Sequence, residues 1–365
     1  LFRRKALPAS GFELGSGTET DPYIIRNQLE LISMVKGMKS GKTYFKMDAD
    51  VDMSDYEDWI PLNAVAPYDM AVDFDGCGHT ISGFNCSAST YPSMFGVLTG
   101  SFRNVTFDRP VITVGSSSAG LLGAQCGTSE TPTEVKNVTV NNLTINMNGT
   151  TAGVGGLAGR AIATSFSDIT LSADIVDADN DGKAPGSVGG IVGVASDAPS
   201  LFTNVHTSGS VTGGERTSGL VGSIAKGNDN VTIDKSSSSM KINSFGNDAG
   251  GLIGYAEGEH LTVNDSHSSG EVTNTGNYAG GLIGSLAGFS IVSRCYAAGN
   301  VHAKGGNHIG GLIGNATRMD GGTTIEDCYA AGNVTLTGSK GRIAGGLVGD
   351  IENKTDITVR RCYAS

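Results

Sequence analysis

Residues 281–301 read GLIGSLAGFSIVSRCYAAGNV, and residues 311–334 read GLIGNATRMDGGTTIEDCYAAGNV. Both stretches open with GLIG and close with CYAAGNV, and they begin 30 residues apart. Self-similarity at a fixed period of this size is the signature of a repeat architecture, in which each unit buries its apolar face against its neighbours. The fold therefore has to be derived from the repeat.

The opening glycine phrase recurs along most of the chain. Its copies end at glycines that lie 27 to 36 residues apart, namely Gly96, Gly123, Gly159, Gly193, Gly222, Gly254, Gly284, Gly314 and Gly349. A unit of this length without an amphipathic helix is filled by three short strands and their turns. The sequence predicts an all-β fold, a right-handed parallel β-helix of about nine rungs. At about 4.8 Å per rung, the rod is roughly 40 Å long.

A second column follows each glycine phrase. An apolar residue is followed, three positions later, by a small or apolar one, and this offset predicts a corner between two inward side chains. The residues expected at the corner are Asn104, Asn137, Asp168, Asn204, Lys235, Asp265, Arg294, Asp327 and Arg361. Six of these nine are Asn or Asp, the residues that best tolerate the left-handed backbone of a corner.

Composition and charge exclude several classes of protein. Glycine supplies 55 of the 365 residues, and the formal net charge is −11 with scattered basic residues, so a nucleic-acid partner is not expected. The sequence has no run of 18 apolar residues, so we do not expect an integral membrane protein. No basic, then apolar leader opens the chain, and we expect an exported form whose leader has been removed.

Three of the six cysteines occupy equivalent positions of the repeat. Cys295, Cys328 and Cys362 continue the inner member of the second column, which is Ser236 and Ser266 in earlier copies. Such a ladder of small side chains predicts buried free thiols. Neighbouring thiols could still be oxidised, although stacked cysteines are poorly oriented for a disulfide.

The first 93 residues precede the glycine phrases and are expected to form a capping segment, followed by one continuous solenoid over residues 94–365. The open first rung of a solenoid needs a cover, since its backbone groups and core are otherwise exposed. The stretch QLELISMV (residues 28–35) predicts a short helix with Leu29, Ile32 and Val35 packed on the core.

The phrases GGLIG and CYAAGNV resemble the GLUG repeat of bacterial surface proteins. The upstream segments GSGTETDPYII (15–25), YFKMDADVDMS (44–54), WIPLN (59–63) and FDGCGHTISGF (74–84) are similar to the same proteins. The resemblance implies a β-helical, secreted or surface-exposed protein of the adhesin kind, with members in gut bacteria and in the non-catalytic part of IgA1-specific metalloproteases. The HExxH zinc motif of those proteases is absent from this sequence.

Two groups of residues are candidate sites. His267, Tyr296, Tyr329 and Tyr363 fall at one repeat position and predict an aromatic strip on which a sugar or a protein partner could lie, or, alternatively, rings that only stabilise the strands by stacking.

The second candidate is DADNDGK (residues 177–183). Asp177, Asp179 and Asp181 have the spacing of the first half of a calcium loop, but the twelfth position is Val188 instead of Glu. The alternative is an ordinary solvated acidic turn. Calcium is the single cofactor that the sequence suggests.

The two central positions of each glycine phrase are apolar, as in Leu282 and Ile283. On a regular strand one of them would face outward and form an aliphatic ribbon, whereas bending at the glycines would turn both inward. The sequence leaves both possibilities open.

The leading functional hypothesis is a non-enzymatic, adhesin-like protein of the cell surface or extracellular space that binds a host or bacterial glycan or protein. The alternative is a spacer that displays another module. A polysaccharide-degrading enzyme is the third hypothesis, disfavoured because the acidic residues of the repeats are dispersed over corner positions rather than paired.

Overall fold

One turn of the structure, a computed structural model, shows how the repeat folds. Residues 248–274 form five short strands: Asp248–Gly250, Ile253–Ala256, Leu261–Asn264, His267–Ser268 and Val272–Asn274. The first two belong to two separate sheets, and the last three belong to a third sheet, which is interrupted at its corners. This turn therefore contributes to three sheets, as the prediction of three strands per unit implies. Its contribution to the third sheet is divided into three short strands at the corners.

The structure describes residues 11–149, 152–177, 186–227, 230–258, 260–305, 308–317, 322–337, 343–352 and 356–365. The sheet built on the glycine phrase, called the motif sheet, has nine strands: Phe95–Leu98, Gly123–Cys126, Ala158–Ala161, Val192–Ala195, Val221–Ile224, Ile253–Ala256, Ile283–Leu286, Ile313–Ala316 and Val348–Ile351. The short sheet has seven: Gly153–Gly155, Ser187–Gly189, Arg216–Ser218, Asp248–Gly250, Tyr278–Gly280, His308–Gly310 and Ile343–Gly345.

Among the described residues, the large sheet has 25 strands: Tyr23–Ile25, Gly41–Met47, Val51–Asp52, Met70–Asp75, Thr80–Ser82, Asn85–Cys86, Gly100–Asp108, Val111–Val114, Thr133–Met147, Thr164–Asp177, Leu201–Gly213, Thr232–Asp234, Ser237–Ser238, Lys241–Ser244, Leu261–Asn264, His267–Ser268, Val272–Asn274, Ser290–Ser293, Tyr296–Ala297, Val301–Ala303, Thr323–Glu326, Tyr329–Ala330, Val334–Leu336, Ile357–Arg360 and Tyr363–Ala364.

Strands of successive turns pair in parallel and in register. Val263 lies opposite Val292, which lies opposite Ile325 one turn further on. The fold is an all-β parallel solenoid of about 10 turns, which confirms the predicted fold class. The number of turns exceeds the nine glycine phrases because the segment before residue 94 also contributes strands to the large sheet. Strand Met70–Asp75 pairs directly with Gly100–Asp108. The large sheet is therefore continuous from the segment before residue 94 into the segment that carries the glycine phrases.

The N-terminal helix differs from its prediction. It is two short helices, α1 (Gln28–Ile32) and α2 (Met34–Gly37), separated at Ser33. Leu29 and Val35 are more than half exposed, so the prediction that they pack on the core is wrong. Leu31 and Met34 are the buried side chains.

A side-chain cap at the start of α1 explains this orientation. Asn27 Oδ1 accepts a hydrogen bond from the backbone N–H of Glu30, and Asn27 Nδ2 donates to the Glu30 carboxylate. The Arg26 guanidinium also donates to that buried carboxylate, at 2.7 Å. Because these bonds direct Glu30 inward, the neighbouring Leu31 follows it into the core and Leu29 remains outside.

Both apolar positions of the glycine phrase point inward. Leu282 and Ile283 are fully buried, as are their equivalents in most turns. The chain bends tightly at the preceding glycines, where a Cβ on Gly281 would lie 2.2 Å from the carbonyl oxygen of Gly311. Of the two possibilities left open by the sequence, bending at the glycines, which turns both apolar side chains inward, is therefore correct.

One glycine phrase is shifted in the predicted alignment. Gly123 lies opposite Phe95 and Ala158, not opposite Gly96 and Gly159. Ala124 therefore takes the place that glycine holds in the neighbouring turns. In this phrase, LLGA (residues 121–124), the glycine stands one position before the place where the neighbouring phrases have theirs. An alignment based on glycine alone therefore pairs the wrong residues.

The cysteine prediction is confirmed for the thiol state. All six cysteines are free, and Cys295 and Cys328 are buried in the interior column, whereas Cys362 is only partly buried, contrary to the prediction. The Cys295 thiol donates to the carbonyl of Ser293, and the backbone N–H of Cys295 lies 3.4 Å from Cys328 Sγ. The hydrogen bond with the neighbouring Cys328 side chain and then burial raise the pKa of Cys295, which keeps it protonated and unreactive.

Candidate functional site

The corner prediction is confirmed at all nine positions. Each corner residue from Asn104 to Arg361 has a positive φ, between 47° and 56°. Lys235, Arg294 and Arg361 adopt this conformation although long side chains rarely do. At the two arginine corners the long side chains contact the corner residues of neighbouring turns.

Successive corners form a ladder of alternating charge. The corner ladder consists of Lys235, Asp265, Arg294, Asp327 and Arg361. Arg294 donates two hydrogen bonds to the Asp265 carboxylate, at 2.7 and 2.8 Å, and Arg361 holds Asp327 in the same bidentate way. The guanidinium groups lower the pKa of both carboxylates. These acids are occupied by structural partners, which leaves them poorly suited to acid and base chemistry.

The aromatic ladder consists of His267, Tyr296, Tyr329 and Tyr363, one from each of four successive turns. The ring centroids are separated by 4.4, 4.8 and 5.3 Å along the ladder, with interplanar angles of 4° to 8°. The rings are thus parallel and stacked along the axis of the solenoid. The lowered pKa of His267, caused by burial and then by His206, keeps its ring neutral at pH 7.

This stacking determines which parts of the rings are accessible. The faces of Tyr296 and Tyr329 are covered by the neighbouring rings, so their edges and hydroxyl groups remain for a partner. Tyr363, at the end of the ladder, is 59% exposed. The rings do stack, as one of the two alternatives from the sequence requires. Binding of a sugar or protein partner by these rings stays a prediction. Any partner would meet a row of ring edges and hydroxyl groups rather than one flat aromatic surface.

A second site was missed by the sequence reasoning. Polar side chains of the short sheet and of the motif sheet face each other across the bend at the glycine phrase. They enclose a cavity of about 360 Å³, here called the polar groove, lined by Glu215, Arg216, Asn247, Asp248, Tyr255, Asn277, Tyr278, Ser285, Ala287, Asn315, Thr317 and Glu352.

Side chains of the polar groove are held by contacts between turns. The Arg216 guanidinium lies over the Tyr255 ring, 4.5 Å from its centroid. The Ser285 hydroxyl donates to Asp248 Oδ1 at 2.5 Å. Asn277 donates to Asn247 at 2.7 Å, which continues the chain of hydrogen bonds along the axis. The groove thus combines an aromatic ring with fixed donors and acceptors, which suits a polar ligand.

The electrostatics of the groove are dominated by a buried acid. Burial raises the pKa of Asp248 to about 6, and the Ser285 hydrogen bond only partly offsets this. Burial also raises the pKa of Tyr255 to about 12, so its hydroxyl stays protonated. The sequence did contain a signal for this site: the residues flanking the glycine phrase are polar and variable, as in Asp248, Tyr278 and His308. Their meeting across the turn depends on the bend angle, which the sequence pattern does not give.

A larger cavity than the polar groove lies elsewhere. A groove of about 640 Å³ runs along the edge of the large sheet, with Pro132, Pro199 and Leu201 in its lining. It contains none of the predicted site residues.

The calcium prediction is only partly within the structure. Asp177 ends strand Thr164–Asp177 and is 6% exposed. Asp179 and Asp181 lie outside the described residues, so the calcium site stays a prediction.

These observations define the class: a repeat-built parallel β-solenoid with ladders of stacked side chains along its axis. Residues 305–335 match the family model described as the GLUG motif. The match covers the second of the two repeats quoted at the outset, so this stretch of the chain is a GLUG motif, as the resemblance predicted.

Two further comparisons extend this result. The chain is 30% identical over 150 residues to halomucin from Haloquadratum walsbyi, a match that covers 37% of this chain and 2% of halomucin. A crystal structure of a Bacteroides ovatus protein, provisionally described as an immunoglobulin A1 protease, superposes with a TM-score of 0.50 at 22% identity, covering 100% of this chain and 91% of the other. At this identity the likeness concerns the fold alone. None of the helices in the described residues has the length and apolarity needed to cross a membrane.

Proposed function

We propose that this protein is a non-enzymatic, adhesin-like protein of the cell surface or extracellular space, which attaches to a host or bacterial glycan or protein. The observation that carries the proposal is the in-register aromatic ladder on the outside of the solenoid. Its rings repeat at the spacing of the turns, between 4.4 and 5.3 Å. A periodic row of hydroxyl groups and ring edges suits a long or repetitive partner, such as a glycan chain.

The family supports the surface location. The resemblance to the GLUG repeat of surface proteins and the likeness to halomucin both favour a surface or extracellular location, although the matched segment is 2% of halomucin. The absence of catalysis is supported by the corner acids. Asp265 and Asp327 are each held by a bidentate arginine, so they lack the freedom of the paired carboxylates of glycoside hydrolases.

The test is binding of the purified chain to immobilised mucin and to a glycan array. We expect binding that falls at least tenfold when Tyr296 and Tyr329 are both replaced by Ala. Tyr44→Ala is the matched control, because Tyr44 is an outward, half-buried tyrosine of the large sheet outside the ladder. Equal losses in both variants, or no binding by the folded wild-type chain, would favour the spacer. Turnover of a polysaccharide would favour the enzyme.

A further inference from the structure

His308, Asp350 and Glu352 bring three metal-ligating side chains together from two successive turns. His308 begins strand His308–Gly310 of the short sheet, while Asp350 lies on the motif-sheet strand of the next turn and Glu352 follows that strand. One donor atom from each residue lies within 4.8 Å of the other two. We propose that these three side chains bind a divalent transition-metal cation of the zinc class, with Asn315 as an additional donor.

The distance between histidine and aspartate supports a shared cation. His308 Nδ1 lies 3.4 Å from Asp350 Oδ2, and both side chains are at least three-quarters buried. Nδ1 makes no hydrogen bond within the described part of the chain. Two ligands held about 2.1 Å from a tetrahedral zinc ion are about 3.4 Å apart. The pair is therefore too long for a good hydrogen bond and suitably spaced for a bridging metal.

Asn315 supplies an independent observation. Its side chain is 2% exposed, and its Oδ1 has no hydrogen-bond partner among the described residues. Its Nδ2 donates to Glu352 Oε1 at 3.2 Å, which places the amide beside the cluster. A buried amide oxygen without a partner is costly, by about 1 to 3 kcal/mol. A cation beside Glu352 would satisfy it.

Glu352 is also oriented by a second donor. The Thr317 hydroxyl donates to Glu352 Oε2 at 2.8 Å, so both carboxylate oxygens are fixed by hydrogen bonds. Metal-binding carboxylates are commonly held in this way by neighbouring polar groups.

The donor set selects the class of metal. One imidazole nitrogen with carboxylate and amide oxygens suits zinc and related divalent transition metals, whereas calcium and magnesium prefer oxygen ligands alone. The bound ion would join His308 to residues of the following turn. It would therefore fasten two turns of the solenoid together, and metal binding should raise the melting temperature.

The test is calorimetric titration of the whole chain with ZnCl₂, with CaCl₂ as the comparison cation. The exposed Cys77 and half-exposed Cys362 are first replaced by Ser, because accessible thiols bind zinc themselves. We expect one zinc ion per chain, a rise in melting temperature and a Co²⁺ absorption spectrum typical of a bound site. His308→Gln and Asp350→Asn should each weaken zinc binding at least tenfold. His302→Gln is the matched control, since His302 also lies near a carboxylate, 3.9 Å from Glu271, but far more exposed.

Several results would overturn the proposal. They are the absence of zinc binding, equal zinc affinity in His308→Gln and the parent, and calcium binding as tight as zinc binding, which would indicate a site made of oxygen ligands. Circular dichroism verifies that each variant is folded. If His308→Gln or Asp350→Asn fails to fold, the loss of zinc binding is measured on Glu352→Gln instead, because Glu352 is exposed and lies just after its strand.

Discussion

Aromatic rings stack between turns both inside the solenoid and outside it. Phe166 and Phe202 are fully buried, with centroids 5.3 Å apart and planes at 12°. Tyr296 and Tyr329 lie 4.8 Å apart at 4° on the outer surface, and both are only partly buried. The two stacks have nearly the same geometry, although their surroundings are different.

The comparison teaches that stacking by itself does not indicate a function. Residues in register on parallel strands are separated by the strand spacing of about 4.8 Å, which is also close to the distance of stacked rings. Aromatic columns in this fold are therefore predisposed to stack, although the in-register rings of Tyr278 and His308 meet at 62° instead. Exposure separates the two roles: the inner rings fill the core, and the outer rings remain available to a partner.

The largest effect is expected inside. Phe166→Ala removes a fully buried ring and leaves a cavity, because the turns above and below hold the surrounding backbone in place. We expect the free energy of unfolding to fall by about 3 to 5 kcal/mol. Urea denaturation measures it, and a loss below about 1 kcal/mol would contradict the assignment of Phe166 to a packed core.

The next largest effect is expected at Asp248, the buried acid of the polar groove, where removing the charge should raise the free energy of unfolding instead of lowering it. Asp248 is 6% exposed, and burial raises its pKa from 3.8 to about 6 in the folded chain. The folded state thus binds the proton more tightly, and this residue's contribution to stability decreases as the pH rises from about 4 to about 6. Asp248→Asn should therefore stabilise the protein at pH 7, by up to about 3 kcal/mol.

Urea denaturation of Asp248→Asn and wild type at pH 4 and pH 7 measures this difference. The gain should be present at pH 7 and largely absent at pH 4. Asp265→Asn is the control and should not stabilise the protein at pH 7. Arg294 lowers the pKa of Asp265, so the charged form is favoured in the folded chain. A gain at both pH values for Asp248→Asn would show that the charge is not the cause.

The outer ladder should contribute less to stability than the inner stack. Tyr296→Ala removes one ring from between two neighbours on a half-exposed surface. We expect the free energy of unfolding to fall by about 1 kcal/mol, the usual size of aromatic pair interactions. A loss as large as that of Phe166→Ala, measured in the same urea series, would show that the ladder is primarily structural.

The smallest effect is expected at the corner ladder. Arg294→Gln breaks a bidentate ion pair with Asp265 that is exposed to solvent, and such pairs contribute little and are screened by salt. The melting temperature should change slightly in low salt and not measurably in 1 M NaCl. A large change that persists in high salt would indicate that the left-handed backbone at residue 294 depends on the arginine.

The parts of the fold that the sequence predicted are those fixed by local chemistry and by the repeat. The corner at Asp265 follows from a residue that tolerates positive φ, and the register of Tyr296 with Tyr329 follows from the repeated phrase. Both are properties that a single turn shares with its neighbours.

The parts that could not be predicted depend on contacts between segments with no repeat relation. Leu29 was assigned to the core from helical spacing, but the buried Glu30 and its partner Arg26 turn that face outward. The polar groove depends on how sharply the chain bends at the glycines, which brings Ser285 onto Asp248 of the preceding turn. Neither contact has a signature in composition or periodicity.

The most direct test of the account measures urea denaturation and mucin binding on the same two proteins, Phe166→Ala and the double variant Tyr296→Ala with Tyr329→Ala. The account predicts that Phe166→Ala loses about 3 to 5 kcal/mol of stability but binds mucin normally while folded. The double variant should lose less, about 2 kcal/mol for its two rings, and lose binding. If the double variant unfolds as readily as Phe166→Ala, or binds mucin as well as wild type does, the assignment of the outer rings to a partner is wrong.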